Sequence, residues 1–141
     1  MVRIKERYLL VNILYPADVG SRPNLPDVVV INQPTTDQLT PVVLLRGIRA
    51  EVANLFGDYG SGAIEGGSLS VKYLSQATST FILRTSRSSY RFVWSALTFM
   101  NSVPVKNGKP CIFRVVHLTW GTKTNKSRIL QARSIGCRGR Q

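Results

Sequence analysis

Two stretches of this chain repeat their apolar residues every three or four positions, and each lies between short β-rich runs. That alternation narrows the possible folds more than any other feature. In the first stretch Leu45, Ile48, Val52, Leu55 and Phe56 recur at helical spacing, while Arg46, Arg49 and Ala53 fall on the other side. Thr40 and Pro41 open it, because a threonine oxygen can accept from an orphan N–H and proline loses nothing at the first helical position. Gly57 supplies its stop. In the second stretch Tyr90, Val93, Trp94, Leu97 and Met100 form the apolar stripe, with Arg87, Arg91, Ser95 and Thr98 facing away. Ser86 or Ser88 caps this helix, and Pro104 with the stretch Lys106 to Pro110 ends it.

The flanking runs read as strands. Arg7 to Tyr15 is rich in Tyr, Leu, Val and Ile and too short to favour a helix. Leu69, Val71 and Tyr73 alternate with Ser68, Ser70 and Lys72, and Thr80 to Thr85 follows after a short turn, so the two pair as a hairpin. One hairpin face is then apolar and the other carries Lys72 and Arg84. Cys111 to Trp120 is the fourth strand, and Gly121 breaks it before a basic segment, Lys123 to Arg133, that reads as a third helix. Residues 16–39 hold Pro23, Pro26, Pro34 and Gly20 and read as a surface insertion, with a short extended piece at Val28 to Ile31. The glycine-rich stretch from Gly57 to Gly67 lacks the Gly-Lys-Ser or Gly-Lys-Thr ending of a phosphate loop and reads as a flexible turn. The order is βαββαβ. It specifies an α+β, ferredoxin-like sandwich, a four-stranded antiparallel sheet with two helices on one face, followed by a short basic C-terminal helix or tail. The 141 residues form one domain, 1–141, with the basic tail starting near Lys123. A chain of this size buries roughly two thirds of its unfolded surface without a disulfide or metal staple.

Charge says what such a domain meets. Residues 1–65 hold seven acids and six bases, whereas residues 66–141 hold thirteen Lys or Arg and no Asp or Glu, and the whole carries +12. A field this one-sided needs an anionic partner or dense counterion, and nucleic acid is the commonest such partner. The bases are interleaved with Tyr73, Phe81, Tyr90, Phe92, Trp94, Phe113 and Trp120, which a disordered basic arm would lack. No segment approaches the roughly 20 apolar residues of a spanning helix, and the first residues show no signal-peptide pattern, so the expectation is an intracellular protein without a membrane partner. Cys111 and Cys137 fit no zinc spacing and read as a buried strand thiol and a free tail thiol.

Catalytic residue types are scarce. His117 is the lone histidine, mid-strand between Val116 and Leu118, and reads as a structural imidazole. The seven carboxylates show no pairing or ligand spacing that would hold Mg²⁺ or do acid-base work. Neither Ser79 to Thr85 nor Ile112 to Trp120 contains the Lys/Arg-Gly-aromatic strand pattern of a base-stacking RNA module. The bases therefore suit phosphate and shape contact.

Several short motifs in order resemble one family. The opening Met1-Val2-Arg3-Ile4-Lys5, with Arg7-Tyr8-Leu9-Leu10, looks like the start of the Pop-five protein subunit of eukaryotic ribonuclease P and ribonuclease MRP. Gly57-Asp58-Tyr59-Gly60 resembles a turn of fungal members, Val71-Lys72-Tyr73-Leu74 their second strand, and Ser79, Thr80, Ile82, Leu83 and Arg84 their third. Val93-Trp94-Ser95-Ala96-Leu97 looks like their second helix, and Gly121-Thr122-Lys123 the turn after their last strand. The resemblance runs from residue 1 to about 126, with residues 16–39 variable. Past Lys126 the family continues with a longer amphipathic helix and often an acidic tail, whereas Ser134 to Gln141 is short, basic and punctuated by glycine.

The resemblance implies a non-catalytic scaffold for an RNA whose own phosphates hold the catalytic Mg²⁺, so that the protein itself binds no cofactor. It implies ribonuclease P RNA and ribonuclease MRP RNA as partners, a TIM-barrel-like protein subunit as heterodimer partner, other proteins of the particles, and precursor tRNA nearby. It further implies service in tRNA 5′ leader removal and ribosomal RNA processing, in the nucleus and nucleolus. Charge and motif position then place Arg3, Lys5, Arg7, Arg84, Arg87, Arg91, Lys123, Lys126 and Arg128 against RNA backbone. Trp94, Phe92 and Trp120 are candidates for the protein interface or for the core. Two other classes fit the same fold: a small phosphate-ester or acyl-phosphate hydrolase with an arginine cradle, and a basic ribosome-associated protein.

Overall fold

The structure of the chain, a computed structural model, describes residues 5–20, 23–66 and 69–119. Strand β1 (Glu6–Leu14) is followed by a single 3₁₀ turn at Pro16–Asp18, helix α1 (Asp27–Ile31) and helix α2 (Pro41–Gly66). Strands β2 (Ser70–Ser75) and β3 (Thr80–Ser86), helix α3 (Tyr90–Phe99) and strand β4 (Ile112–Thr119) complete it. The sheet order is β2-β3-β1-β4 and the three pairings are antiparallel, as the ferredoxin-like order requires.

Strand alternation decides where the core lies. Leu9, Val11 and Ile13 of β1 and Phe81 and Leu83 of β3 point to one side, where they meet Leu44, Ile48 and Val52 of α2 and Val93, Ala96 and Leu97 of α3. On the opposite face Leu10 and Ile82 form a small second cluster, flanked by Tyr8 and Tyr73. Tyr73 reaches that face because the β2–β3 register shifts between Val71 and Tyr73. The bulge at Lys72 thus breaks the simple alternation expected of Leu69, Val71 and Tyr73, and sends Tyr73 to the side of Ile82 instead.

The Thr40-Pro41 helix start holds, since Thr40 Oγ1 accepts the Val43 N–H at 3.3 Å. The buried stripe of α2 is Leu44, Ile48 and Val52, however, while Leu55 and Phe56 are partly exposed. Gly57, at φ 63° and ψ −151°, interrupts the helix as its sequence position suggests. Beyond Gly57 the chain does not form the expected flexible turn but resumes as helix through Gly66. Burial of Ile64, with Gly60 set against Phe56 and Val52, outweighs the poor helix propensity of the glycines.

The insertion is more anchored than a surface loop. Val28 to Ile31 lies in α1, not in an extended piece, because Val30 turns inward while Val28 and Val29 remain exposed. Tyr15 N–H donates to the Ile31 carbonyl at 3.0 Å, and Tyr15 O–H donates to Thr35 Oγ1 at 2.6 Å. Thr35 N–H donates to the Gln76 carbonyl at 2.9 Å and Ser79 Oγ to the Gln33 carbonyl at 2.6 Å, tying the insertion to the β2–β3 turn. Helix α3 begins one residue beyond the expected serines. Ser89 is its N-cap, and its hydroxyl turns to Ser86 Oγ rather than to the helix backbone.

Cys111 is buried at the mouth of β4, and loss of water pushes its thiol up to about 12. The folded state therefore keeps a proton that the unfolded chain releases above its ordinary 9.0, so this group's contribution is full below 9.0 and is lost as pH rises towards about 12. In a Cys137→Ser variant, native protein at pH 8 should react with a thiol reagent only as fast as it unfolds; rapid labelling of the folded state would contradict this burial.

Candidate nucleic-acid interface

Of the nine bases expected to meet RNA, Arg3, Lys123, Lys126 and Arg128 lie outside the described residues, as do Trp120 and the expected third helix. The structure separates the other five into two groups. Arg7 sits opposite Thr85 in the β1–β3 ladder, on the helix side of the sheet with Leu9 and Val11. Arg87 leaves the end of β3, where its N–H donates to the Lys5 carbonyl at 2.8 Å, so the backbones of Lys5 and Arg87 are joined. Arg91 follows in the first turn of α3, and its Nε donates to Tyr90 Oη at 3.4 Å with the guanidinium 5.9 Å from the Tyr90 ring centroid.

Tyr90 reports that these charges converge. Its phenol is held below the ordinary tyrosine value, first by the hydrogen bond from Arg91 and that residue's charge, then by the charges of Arg7 and Arg87. Three arginines from a strand, a turn and a helix thus share one electropositive corner. Arg84 belongs elsewhere: it lies on the opposite sheet face, paired with Glu6 at 3.1 Å. Its charge is already engaged within the protein.

Trp94 joins the arginine corner. The sequence leaves it between the core and an interface, and the buried arc of α3, rotated toward Ala96, leaves Trp94 40% exposed, one turn after Tyr90 and Arg91. An exposed indole beside guanidinium groups offers a stacking surface for an unpaired base. Its three-residue spacing from Arg91 was the available signal, because it puts Trp94 at the edge that also carries the charge. Phe92 takes a different side of α3. It is half-buried under the edges of Phe56 and Tyr59, at centroid distances of 4.9 and 6.0 Å, and is seven residues from the exposed Phe99.

Among the described residues, no group of three His, Cys, Asp or Glu could hold a metal ion, and no helix is long and apolar enough to cross a membrane. His117 stands opposite Leu10 on the face away from the helices. This arrangement can bind polyanion through fixed cations. Among the described residues it sets no nucleophile beside a base.

Known proteins resemble this chain in sequence and in fold. The Ribonuclease P/MRP protein subunit POP5 of Schizosaccharomyces pombe is 41% identical over 121 residues, covering 84% of this chain and 78% of that protein. The subunit of the same name from Homo sapiens is 31% identical over 132 residues, covering 93% of this chain and 71% of the human one. In fold, a chain from a cryo-EM structure of yeast Ribonuclease MRP superposes with a TM-score of 0.54 at 10% identity, over 98% of each chain. The family model for Rpp14/Pop5 matches residues 7–129, from the first strand through the last and past the arginine corner between them. With that span and those relatives, this chain belongs to the Rpp14/Pop5 family.

Proposed function

We propose that the protein works as a non-catalytic, RNA-binding subunit of ribonuclease P and ribonuclease MRP. Its relatives are subunits of ribonuclease P/MRP, and the protein likewise is part of an RNA-based enzyme rather than an enzyme itself. The observation that carries the RNA-binding part is the convergence of Arg7, Arg87 and Arg91 on Tyr90, with Trp94 exposed beside them. These cations grip phosphate oxygens while the indole meets an unpaired base. The protein thereby braces the catalytic RNA for removal of the 5′ leader from precursor tRNA and for ribosomal RNA processing, with Mg²⁺ carried by the RNA.

The finer partner is the TIM-barrel-like protein subunit of the same particle. Its supporting surface is the other side of α3 and the neighbouring end of α2, where Tyr59, 78% exposed, and Phe56 meet Phe92, with Phe99, 60% exposed, two turns further along α3. Protein and RNA then use different edges of one helix. The particles so built work in the nucleus and nucleolus.

Affinity purification of the tagged chain from its own cells, with sequencing of the bound RNA and a precursor-tRNA cleavage assay before and after digestion of that RNA, tests the reading. Recovery of ribonuclease P or MRP RNA, with cleavage abolished by digestion, is expected. Recovery of ribosomal subunits instead, or cleavage by protein alone, would sink it.

A further inference from the structure

At the end of the sheet remote from the arginine corner, the segment between α3 and β4 folds back as a small hairpin. Ser102 bridges Pro110, Val103 N–H donates to the Lys109 carbonyl at 3.1 Å, and Cys111 N–H donates to the Asn101 carbonyl at 2.9 Å. Its tip is a turn closed by Gly108 N–H to the Val105 carbonyl at 3.0 Å, with Asn107 at φ 59° in the third position, which suits the tolerance of asparagine for that conformation. The hairpin has little room to move. A Cβ on Gly108 would lie 2.0 Å from the Val103 carbonyl oxygen, and one on Gly47 of α2 would lie 2.4 Å from Pro104 Cβ. The tip is therefore packed closely on itself, and Pro104 at the hairpin's base lies against a core helix.

Between this hairpin and the end of the insertion lies a pocket of about 150 Å³, lined by Tyr15, Thr36, Gln38, Lys106, Asn107 and Lys109, among others. The Lys109 ammonium lies 5.6 Å from the Tyr15 ring centroid. Thr36 Oγ1 accepts the Gln38 N–H at 3.3 Å, which leaves its own O–H to donate outward. Gln38 and Asn107 add amide donors. Among the described residues no carboxylate lines the pocket, although exposed Asp37 is the chain neighbour of Thr36 and Gln38. Two ammonium groups with amide and hydroxyl donors around a small, pre-shaped hollow match a phosphate.

We infer that this pocket is a second RNA-backbone site, taking a phosphodiester on Lys106 and Lys109, so that the domain clamps two separate stretches of the same RNA. The inference rests on the RNA-subunit reading above. Arg7 lies near the start of β1 and Tyr15 just past its end, eight residues apart, and at strand rise that is roughly 25 Å, too far for neighbouring phosphates of one nucleotide step. Each site has one member at an end of β1, so the strand sets the distance between them.

A photo-crosslinking amino acid placed at Gln38, and separately at Ser88 beside the arginine corner, in the tagged full-length protein expressed in its own cells, tests this. Both positions should crosslink the same RNA species, at positions well apart in the sequence of each. The pair Lys106→Glu and Lys109→Glu should reduce Gln38 crosslinks at least tenfold while leaving those from Ser88 intact. If Ser88 captures RNA and Gln38 captures none, or captures only protein or a free nucleotide, the second site is wrong and the subunit reading stands. Gln38 crosslinks that survive charge reversal would also overturn it, because the lysines would then not be the contacts. If neither position captures RNA, the subunit reading falls and takes this inference with it.

Discussion

Neutralising Arg7, Arg87 and Arg91 together by glutamine should flatten the salt dependence of RNA binding by about two to three units in the plot of log affinity against log salt. Each phosphate contact contributes about 0.9 units on duplex and about 0.7 on single strands through counterion release, and three fixed cations at one corner should act nearly together. Arg84→Gln is the informative contrast. Its guanidinium is held by Glu6 at 3.1 Å on the opposite sheet face, so its loss removes a partly exposed ion pair, worth below about 1 kcal/mol, and leaves the slope close to its original value. A triple variant with an unchanged slope would remove the corner from the interface; an Arg84 variant with a full unit's loss would move the interface to the other face. Tyr90 supplies an internal check on the geometry. In Arg91→Gln its phenol should titrate nearer the ordinary tyrosine value, since the hydrogen bond from Arg91 is the first cause of its depression.

The alternating helix and strand signals carried the topology, because each apolar stripe could be buried against only one layer. Thr40 and Pro41 marked a helix start that the hydrogen bond to Val43 N–H realises, and the four strands fall within a residue or two of their sequence bounds. What the pattern could not carry was any feature decided by contacts distant in sequence. The helix after Gly57 depends on burying Ile64, and α1 depends on Val30 finding the core. The bulge at Lys72, which redirects Tyr73, is a two-strand property invisible in one strand's alternation. The arginines were legible as charge but not as a group. Only the β1–β3 register, which puts Arg7 opposite Thr85, and the Lys5–Arg87 backbone hydrogen bond distinguish the corner from Arg84. The lysine pocket was hidden for the same reason, since its two sides come from the insertion and from the α3–β4 hairpin.

Phe81→Ala should destabilise the domain by about 3–5 kcal/mol, measured as the shift in a denaturant unfolding curve at constant slope. Phe81 is fully buried among side chains of β1, β4, α2 and α3, and its ring meets Phe113 edge-on at a centroid distance of 6.0 Å. Removing it leaves a cavity between layers that strand alternation prevents any neighbour from filling. Ile82→Ala, one residue on, tests the same alternation from the other side. Ile82 is 4% exposed, but it belongs to the two-residue cluster with Leu10 on the face away from the helices, where Tyr8 and Tyr73 can settle over the gap. Its loss should cost about 2 kcal/mol, the low end for a buried isoleucine. Equal losses at the two positions would mean that the second face is packed as tightly as the first. The sheet would then be a layer between two cores rather than a layer with one core and one lightly covered face.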